Sequence, residues 1–565
     1  MNPASTVLVI DLGTSGPKVS VFDFDLNCID SAFCEVPLLL GNQGDGTEAT
    51  QPATEPAAEP SAEPSAEQRP SDWITAIESA IDQIRARNAG ALARVGVVNV
   101  TAQWSGTVAL SHEGKPLGNA IIWMDSRGAP DAARLTDGFL KVDGYGLVNT
   151  LDWIRLTGGA PTRSGKDSIS HILYLKRARP ELYRDTKVFL EPKDYLNFHL
   201  TGKAAASCDS ITVHWVTDNR DIHRIRYSDR LLRRSGIDPA KLPGLVPVNS
   251  LLGTVRPAVA ERFGIPAGAR VVSGTPDLHS AAVGSGGIAD FVPHLYIGTS
   301  SWIVCHVPFK KTDLFHNIAS IPSGIPGRYM MVNEQQTAGA SLQFLKSRIL
   351  FPKDGLGSGS GGGTGMGAEP PDVYSRMDAL AESVEPGSEG LFYFPWLNGE
   401  RSPFDLGHLR AGFVNLSLRH SQRHLVRAVM EGVALNLRWL LGYTEKFCGR
   451  KFEAIRFIGG GARSRVWSRI LADVLKVRIE QMEDPLTANS KGAAGLALMA
   501  LGVRTMEQVS ASIRVREVFV PAGAEGGNAG GKSFTAAAVY DQKFKQYLEY
   551  FKKNESWFRM ANGRK

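Results

Sequence analysis

The sequence of 565 residues has few cysteines and no long apolar run. Its five cysteines are scattered and odd in number, and none forms a Cys-x-x-Cys pair, so neither a disulfide framework nor a zinc site is indicated. A reducing compartment is therefore expected, which predicts a cytoplasmic protein. No apolar run reaches the roughly 18 residues of a membrane helix. The N-terminus enters a predicted strand at once, which leaves no room for a signal peptide.

Basic residues are not concentrated into a nucleic-acid-binding stripe. The net charge is +6, from 63 basic and 57 acidic residues, and the hydrophobic content is 43%. Clustered Lys and Arg with interleaved aromatic residues are missing outside a basic C-terminal tail, which is predicted to be a solvated end. No nucleic-acid or membrane partner is expected. The length predicts about two to four domains of a globular protein.

A short hairpin opens the chain. An apolar, β-branched run at residues 7–10 ends at Asp11, turns through Gly-Thr14-Ser15-Gly, and continues past Lys18 as a second apolar run. Such a turn offers backbone N–H groups and hydroxyls to phosphate oxygens, and its Asp can hold a hydrated Mg²⁺. Asp-x-Gly-Thr alone is also an ordinary surface turn, and a hairpin Lys is often only solvated.

The same layout returns about 290 residues later. An apolar run at 295–297 leads into Gly298, Thr299 and Ser300, and another apolar run follows. Two such hairpins predict a duplicated α/β fold that holds a nucleotide between its halves.

Two stretches in the first half carry candidate sugar-binding residues. A strand at 95–100 runs into Gln103, Trp104 and Ser105. Further on, residues 123–127 place Trp, Asp125 and Arg127 at alternate positions, which puts them on one face of an extended segment. They form either an Asp–Arg surface pair beside a core Trp or a polyol-binding strand end.

A strand at 269–275 delivers Asp277 to the first turn of a helix of small residues. An acid there can cap the helix. Its place just before the second hairpin favours a catalytic base. The Gly-Ser-Gly-Gly that ends this helix, at 284–287, predicts a domain boundary.

A third glycine-rich turn follows a strand at 455–458. Its residues Gly460, Gly461, Ala462 and Ser464 lead into a helix and allow an adenine or ribose to approach the backbone. The alternative to an adenosine site is a Rossmann dinucleotide site, because an acid, Glu480, lies about 20 residues further on. Ser464 stands where that fingerprint needs its third glycine.

Two low-complexity segments are predicted to be surface insertions. Residues 41–70 consist largely of Pro, Ala and Glu without periodicity and are expected to be disordered. Residues 355–368 are Gly-rich and are expected to be a flexible loop.

In this order, the motifs resemble the FGGY family of carbohydrate kinases, most closely its xylulokinase-like members, over roughly residues 5–510. The resemblance implies two actin-like (ribonuclease H-like, ASKHA) α/β domains that close over a cleft. The first would span 1–287 and the second 288–510, with a C-terminal extension at 511–565. Further matches to the family's C-terminal signature lie at 412–418 and at Glu431-Gly432.

The resemblance also implies roles for residues. Asp277 matches the catalytic aspartate, expected to act as general base, and Asp11 would hold Mg²⁺ with Asp277 beside it. The phosphate motifs supply Asp11, Thr14, Ser15, Lys18, Gly298, Thr299 and Ser300, and the adenosine motif supplies Gly460, Gly461, Ala462 and Ser464. The sugar would be bound by Gln103, Trp104, Ser105, Asp125, Arg127 and Asp277.

The expected activity is ATP-dependent phosphorylation of a hydroxyl of a ketopentose such as D-xylulose, with Mg²⁺ as cofactor. Trp104-Ser105 stands where xylulokinases usually carry Met-His, which leaves kinases of another ketose or polyol, such as a ribulose-like sugar, as alternatives. A degenerate kinase acting as a sugar- or nucleotide-responsive regulator is another, and Asp11 with Asp277 favours an enzyme over it. An ASKHA chaperone or ATPase is disfavoured, because it needs no polyol site. The expected partners are the sugar and ATP, and a homodimer is left open.

Overall fold

Two large β-sheets organise the chain. The computed structural model describes residues 5–41, 65–139, 141–142, 145–352, 370–522 and 536–563. In the first half the strands are β1 Thr6–Gly13, β2 Gly16–Phe22, β3 Cys28–Phe33, β4 Leu39–Gly41, β5 Ser65–Gln68, β6 Val95–Ala102, β7 Val108–Leu110, β8 Ala120–Ile121, β9 Lys141–Val142, β10 Tyr145–Gly146, β11 Val188–Leu190, β12 Ala205–Ser207, β13 Thr217–Asp218, β14 Arg226–Tyr227, β15 Gly244–Val246, β16 Leu251–Thr254 and β17 Arg270–Pro276. The helices there are α1 Pro70–Leu92, α2 Ala129–Thr136, α3 Leu147–Thr157, α4 Ser168–Ala178, α5 Pro180–Asp185, α6 Pro192–Thr201, α7 Asp229–Ser235, α8 Pro257–Phe263 and α9 Asp277–Gly284, with 3₁₀ turns at Ser210–His214 and Pro239–Lys241.

The second half has fewer strands and longer helices. Its strands are β18 His294–Ile297, β19 Ser301–Val307, β20 Thr312–Asp313, β21 Ile318–Pro322, β22 Tyr329–Val332, β23 Phe392–Phe394, β24 Gly412–Val414, β25 Ala454–Ile458, β26 Arg478–Met482 and β27 Val515–Phe519. Its helices are α10 Gly339–Phe344, α11 Val373–Glu382, α12 Gln422–Cys448, α13 Arg465–Leu475, α14 Ala488–Ala500, α15 Met506–Ala511 and α16 Ala536–Asn562, with a π-helical turn at Leu345–Leu350 and 3₁₀ turns at Ser388–Gly390 and Gly460–Arg463.

The two sheets repeat one topology. The first has the order β16-β17-β6-β1-β2-β3, and the second has β20-β21-β22-β19-β18-β25-β26-β27. In both, a hairpin (β1–β2 or β18–β19) is continued by parallel strands on one side, β6 and β17 or β25 and β26. An antiparallel strand, β16 or β27, then closes that edge. The duplicated α/β fold predicted from the two hairpins is confirmed.

The halves contact each other through α9 and α14 at two glycines. A Cβ atom at Gly284 would lie 1.7 Å from the carbonyl oxygen of Ala488, and one at Gly492 would lie 1.9 Å from that of Ser280. The helices therefore touch backbone to backbone. Helix α14 also docks on the first sheet, where Asn99 Nδ2 donates to the carbonyl oxygen of Ala493 (2.6 Å).

The end of the first predicted insertion is ordered. Residues 42–64 lie outside the described residues, but Ser65–Gln68 forms β5, which pairs with β4 and β8. The prediction of disorder through residue 70 is therefore wrong for 65–70, because pairing with these distant strands supplies the stability that the local sequence lacks. Helix α1 begins at Pro70, in line with the preference for Pro in a first turn. The second predicted insertion, 355–368, lies outside the described residues.

The C-terminal extension is part of the second half. Strand β27 extends the second sheet, and α16 buries Tyr540, Lys543 and Tyr547, which hydrogen-bond to Glu431 and Asn436 of α12. The basic tail predicted to be solvated lies at the end of this helix, where Lys552, Lys553 and Arg559 are exposed as expected, while Arg564 and Lys565 lie outside the described residues. No helix in the described part of the chain combines the length and apolar character that a membrane crossing needs.

Candidate active site

A cleft of about 1300 Å³ is lined by both predicted phosphate hairpins. It brings together most of the predicted residues, namely Asp11, Thr14, Ser15, Lys18, Gln103, Trp104, Ser105, Trp123, Asp277, Thr299, Ser300 and Gly460. The predicted residues that do not line it are Asp125, Arg127, Gly298, Gly461, Ala462 and Ser464.

Asp11 lies near the end of β1, inside the cleft. Its Cα partner across the hairpin is Lys18, and its Oδ2 accepts a hydrogen bond from Ser490 Oγ (3.4 Å). Burial raises the pKa of Asp11 to about 6, against the opposing effects of Lys18 and Ser490. Lys18 Nζ donates to the carbonyl oxygen of Leu486 (2.7 Å), so this Lys ties the first hairpin to the second half of the molecule.

Asp277 is the first residue of α9, directly after β17. Its Oδ1 accepts the N–H of Leu278 (2.7 Å). Burial raises its pKa to about 7, and the charges of Asp11 and Glu334 act in the same direction. A carboxyl group with a pKa near neutrality suits a general base at physiological pH.

A chain of hydrogen bonds joins the first phosphate hairpin to the sugar motifs. Thr14 Oγ1 donates to Gln103 Oε1 (3.0 Å) and accepts from Trp123 Nε1 (2.9 Å). Gln103 Nε2 donates to Gln68 Oε1 (2.8 Å), while Gln68 Nε2 donates to the carbonyl oxygen of Thr14 (2.8 Å). Gln68 was missed from the sequence because it lies in the segment predicted to be disordered.

Trp104 forms a wall of the cleft beside α9. Its Nε1 donates to the carbonyl oxygen of Ser210 (2.8 Å), and its ring meets that of His279 edge-on at 5.2 Å. Ser105 follows with φ 60°, a left-handed conformation that is uncommon for residues other than glycine. The Trp therefore has a fixed position, and the turn after it is sharp.

Asp125 and Arg127 lie behind Trp123. Asp125 is fully buried and accepts the N–H of Ala66 (2.9 Å) and Arg127 Nη2 (2.7 Å). Arg127 also pairs with Glu67 of β5. The pair thus fastens the small sheet β4–β5–β8, and it is largely buried, unlike the surface pair of the first sequence interpretation. A direct sugar contact by either residue stays a prediction.

The second phosphate hairpin turns at Gly298, Thr299 and Ser300. The carbonyl oxygen of Thr299 accepts the N–H of Ala338 (2.9 Å), and that of Gly298 accepts the N–H of Gly339 (2.9 Å). These bonds fix the turn against the start of α10. They leave the hydroxyl-bearing residues of the turn facing the cleft.

The third glycine turn presents backbone rather than side chains. Gly459, with φ 89°, and Gly460 line the cleft. A Cβ atom at Gly461 would lie 2.8 Å from the Ile297 side chain, so that glycine allows close packing. Ser464 caps α13 by accepting the N–H of Trp467 (2.9 Å), which is a structural role.

The acid of the Rossmann alternative lies elsewhere. Glu480 is on β26, pairs with Arg456 (3.4 Å) and does not line the cleft. It is therefore not placed to contact a ribose bound there. The dinucleotide interpretation has no support from the structure.

Several charged residues of the cleft were not singled out from the sequence, among them Glu334, Arg401 and Lys166. Glu334 follows β22 and forms an ion pair with Arg401, and Lys166 lies between α3 and α4. None belongs to a recognisable motif. Glu334 and Arg401 lie in the second half and Lys166 in the first, and they share one cleft because the two halves face each other.

Asp11 and Asp277 suit a magnesium ion. Across the described residues no group of three or more His, Cys, Asp and Glu side chains could hold a metal ion by itself. Mg²⁺ is usually bound by one or two carboxylates, with water and substrate phosphates completing its shell. Two oxygen-donating acids beside the phosphate hairpins match that donor set.

Comparison with known proteins agrees with this geometry. The N-terminal and C-terminal domain models of the FGGY family of carbohydrate kinases match residues 6–284 and 295–501. Xylulose kinase of Lactococcus lactis is 27% identical over 480 residues, covering 84% of this chain and 85% of that protein. Xylulose kinase of Staphylococcus epidermidis is 27% identical over 527 residues, covering 91% and 92%.

Among solved structures, ligand-bound xylulose kinase from Lactobacillus acidophilus superposes with a TM-score of 0.78. It is 20% identical, and the superposition covers 99% of this chain and all of that one. At 20% identity this similarity is evidence for a shared fold. The two-domain architecture is thus shared along the chain.

Proposed function

Because the chain belongs to the FGGY family of carbohydrate kinases, and is therefore a sugar kinase, we propose that it transfers the γ-phosphoryl group of ATP to a hydroxyl of a ketopentose such as D-xylulose. The observation that carries this proposal is the placement of Asp277 in a cleft lined by both phosphate hairpins. The two relatives described above, both named xylulose kinase, support the choice of sugar.

Asp277 acts as the general base. The attacking hydroxyl must lose its proton as the new P–O bond forms, and a carboxylate whose pKa is about 7 accepts that proton near neutrality. The N–H of Leu278 holds one carboxylate oxygen, which leaves the other for the sugar hydroxyl.

The hairpins position the phosphates. Thr14, Ser15, Thr299 and Ser300 present hydroxyl and backbone donors from opposite sides of the cleft. Holding the γ-phosphoryl group in line with the sugar hydroxyl lowers the entropic cost of reaching the transition state. Gly459 and Gly460 let the adenosine approach the backbone of the second half.

Asp11 and Asp277 are the residues that would hold Mg²⁺, Asp11 through water. When bound, the ion neutralises charge on the phosphate oxygens. Asp11 lies opposite Lys18 in the hairpin, and the attraction of that Lys favours the ionised carboxylate.

The sugar pocket is expected to select one sugar, but its Trp104 and Ser105 differ from the Met-His that xylulokinases usually carry. Gln103 is held by Thr14 and Gln68, so its amide has a fixed direction, and Trp104 gives the sugar carbons an apolar surface. Ser105 offers one short hydroxyl in place of an imidazole. Another ketose or a polyol is therefore the second candidate substrate.

The test is a coupled assay of ADP release with Mg-ATP over a panel of D-xylulose, L-xylulose, D-ribulose, L-ribulose, aldopentoses and pentitols. We expect D-xylulose to give the highest kcat/KM, well above the ATPase rate without sugar. A higher kcat/KM for ribulose or a pentitol would refute the choice of xylulose. If no compound raised ADP release above background, the proposed kinase activity would fail and a regulatory role would be favoured.

A further inference from the structure

Lys166 is a charged group of the cleft that the mechanism above does not use. It is half-buried and lies in the first half of the molecule. Within the described residues its ammonium group makes no hydrogen bond and no ion pair. Since an ammonium group carries three donors and is costly to bury without partners, an unpaired one in a cleft calls for a ligand.

The backbone that carries Lys166 is held firmly. The next residue, Asp167, is buried, and its Oδ2 accepts the N–H of Thr162 (2.6 Å) and Trp215 Nε1 (2.9 Å). These hydrogen bonds hold the backbone beside Lys166 in place, so the residue does not lie on a loose surface loop.

Arg401 and Glu334 face Lys166 from the second half. Their side chains form an ion pair, and Glu400 accepts the N–H groups of Arg401 (2.8 Å) and of Gln336 (2.9 Å), two residues after Glu334. Lys166 lines the same cleft, and burial and then the charge of Arg401 lower its pKa.

These groups line one cleft. Glu334 pairs with Arg401, and both residues line the same cleft as Asp277 and Lys166. A sugar whose reacting hydroxyl lies at Asp277 occupies this cleft, which leaves Lys166 as a donor for another of its hydroxyls.

We propose that Lys166 is a specificity-determining residue that donates a hydrogen bond to the C1 hydroxyl of the ketopentose. The inference rests on the proposed function and on phosphorylation at the opposite end, C5. The C1 hydroxyl is an acceptor for the free ammonium donors. A charge-assisted hydrogen bond of this kind is worth roughly 10- to 100-fold in kcat/KM.

Asp405 offers the competing role for Lys166. This acid also lines the cleft from the second half, and its charge and that of Lys166 influence each other, but they are not within ion-pair distance. If Lys166 served only to pair with Asp405, replacing it would change kcat/KM for all sugars by the same factor. Comparing two sugars that differ only in the C1 hydroxyl therefore distinguishes pairing with Asp405 from binding of that hydroxyl.

The experiment measures kcat/KM for D-xylulose and for 1-deoxy-D-xylulose, which lacks the C1 hydroxyl, with the full-length protein and Lys166→Met. We expect the wild-type protein to prefer D-xylulose by about 10- to 100-fold. In Lys166→Met this ratio should fall to about one, while KM for ATP is unchanged. Lys166→Gln, which keeps a donor, should retain part of the preference, and Lys176→Met, an exposed Lys of α4, should match the wild type.

Two results would overturn the proposal. One is a wild-type ratio near one, and the other is a Lys166→Met variant that slows both sugars by the same factor. Calorimetric binding of the two sugars without ATP repeats the comparison independently of turnover. A binding preference that depends on Lys166 in a protein that phosphorylates neither sugar would uphold the inference and count against the proposed function alone.

Discussion

Asp11 lies in β1 and Asp277 directly follows β17, two parallel strands separated by β6 alone, and Asp11 raises the pKa of Asp277. Thr101 of β6 is the Cα partner of Asp11 in β1 on one side and of Thr275 in β17 on the other. The two acids therefore emerge at the same edge of the first sheet. Repulsion between the two carboxylates favours a state in which one of them binds a proton or a cation.

Replacing the base should abolish turnover but not binding. Asp277→Asn keeps the shape of the residue and loses the proton acceptor, so we expect kcat to fall by about 10²- to 10⁴-fold. Calorimetry should show sugar and nucleotide affinity within a few-fold of the wild type. Asp185→Asn, at an exposed position, is the matched control. A variant that retained most of its turnover would remove Asp277 from this role.

The pH profile should respond to Glu334. The base must be ionised, so kcat/KM should rise with pH and level off above the pKa of Asp277, about 7 in the free enzyme. Glu334→Gln removes a negative charge that raises this pKa, and the acidic limb should then move to lower pH. Glu453→Gln, on an almost fully exposed residue, should leave the profile in place. If the acidic limb of the Glu334→Gln profile stayed at the same pH or moved to higher pH, Asp277 would not be the base whose pKa Glu334 raises.

Lys543 should be critical for the stability of the second half. Its Nζ donates to Glu431 Oε2 (2.9 Å) and to the carbonyl oxygens of Gly387 (2.8 Å) and Leu391 (2.6 Å), all in the interior. Removing one partner of a buried ion pair costs about 3–5 kcal/mol. Lys543→Met should therefore lower the free energy of unfolding by that amount in urea denaturation.

The control for this prediction lies on the same helix. Lys545 is exposed on α16, and Lys545→Met should change the free energy of unfolding by less than about 0.5 kcal/mol. Equal effects of the two substitutions would show that the buried ion pair does not stabilise the helix.

A methyl group at Gly492 should force α9 and α14 apart. Its Cβ atom would lie 1.9 Å from the carbonyl oxygen of Ser280, a contact that cannot be relieved without moving a helix. We expect Gly492→Ala to destabilise the protein by about 1–3 kcal/mol in thermal or urea denaturation. Gly442→Ala, in α12 with no neighbour within 4 Å, should instead be neutral or stabilise by up to about 1 kcal/mol. A Gly492→Ala variant as stable as the wild type would rule out the backbone contact.

The parts of the site that the sequence could predict are local. The hairpins at Thr14 and Thr299 and the acid at Asp277 follow strands directly, so the order of residue types along the chain was enough to place them. The duplicated topology followed from the repeated hairpin layout.

The parts that it could not predict depend on distant contacts. Ser65–Gln68 reads as disordered on its own and becomes a strand only between β4 and β8. Lys166 and Arg401 lie more than 200 residues apart, and nothing local indicates that they face each other. Alternation along residues 123–127 predicts the face that Asp125 shares, but not that Arg127 and the N–H of Ala66 cover it.

The buried pair of Glu431 and Lys543 also has a consequence for the order of events during synthesis. These residues are 112 positions apart, so the ribosome makes the acid long before the cation that neutralises it. The first sheet, by contrast, has all its strands once residue 276 has been added. The strands of the first sheet can therefore pair while translation continues, whereas its face toward α14 is covered only after residue 500, and the second half completes its interior only after α16 has emerged.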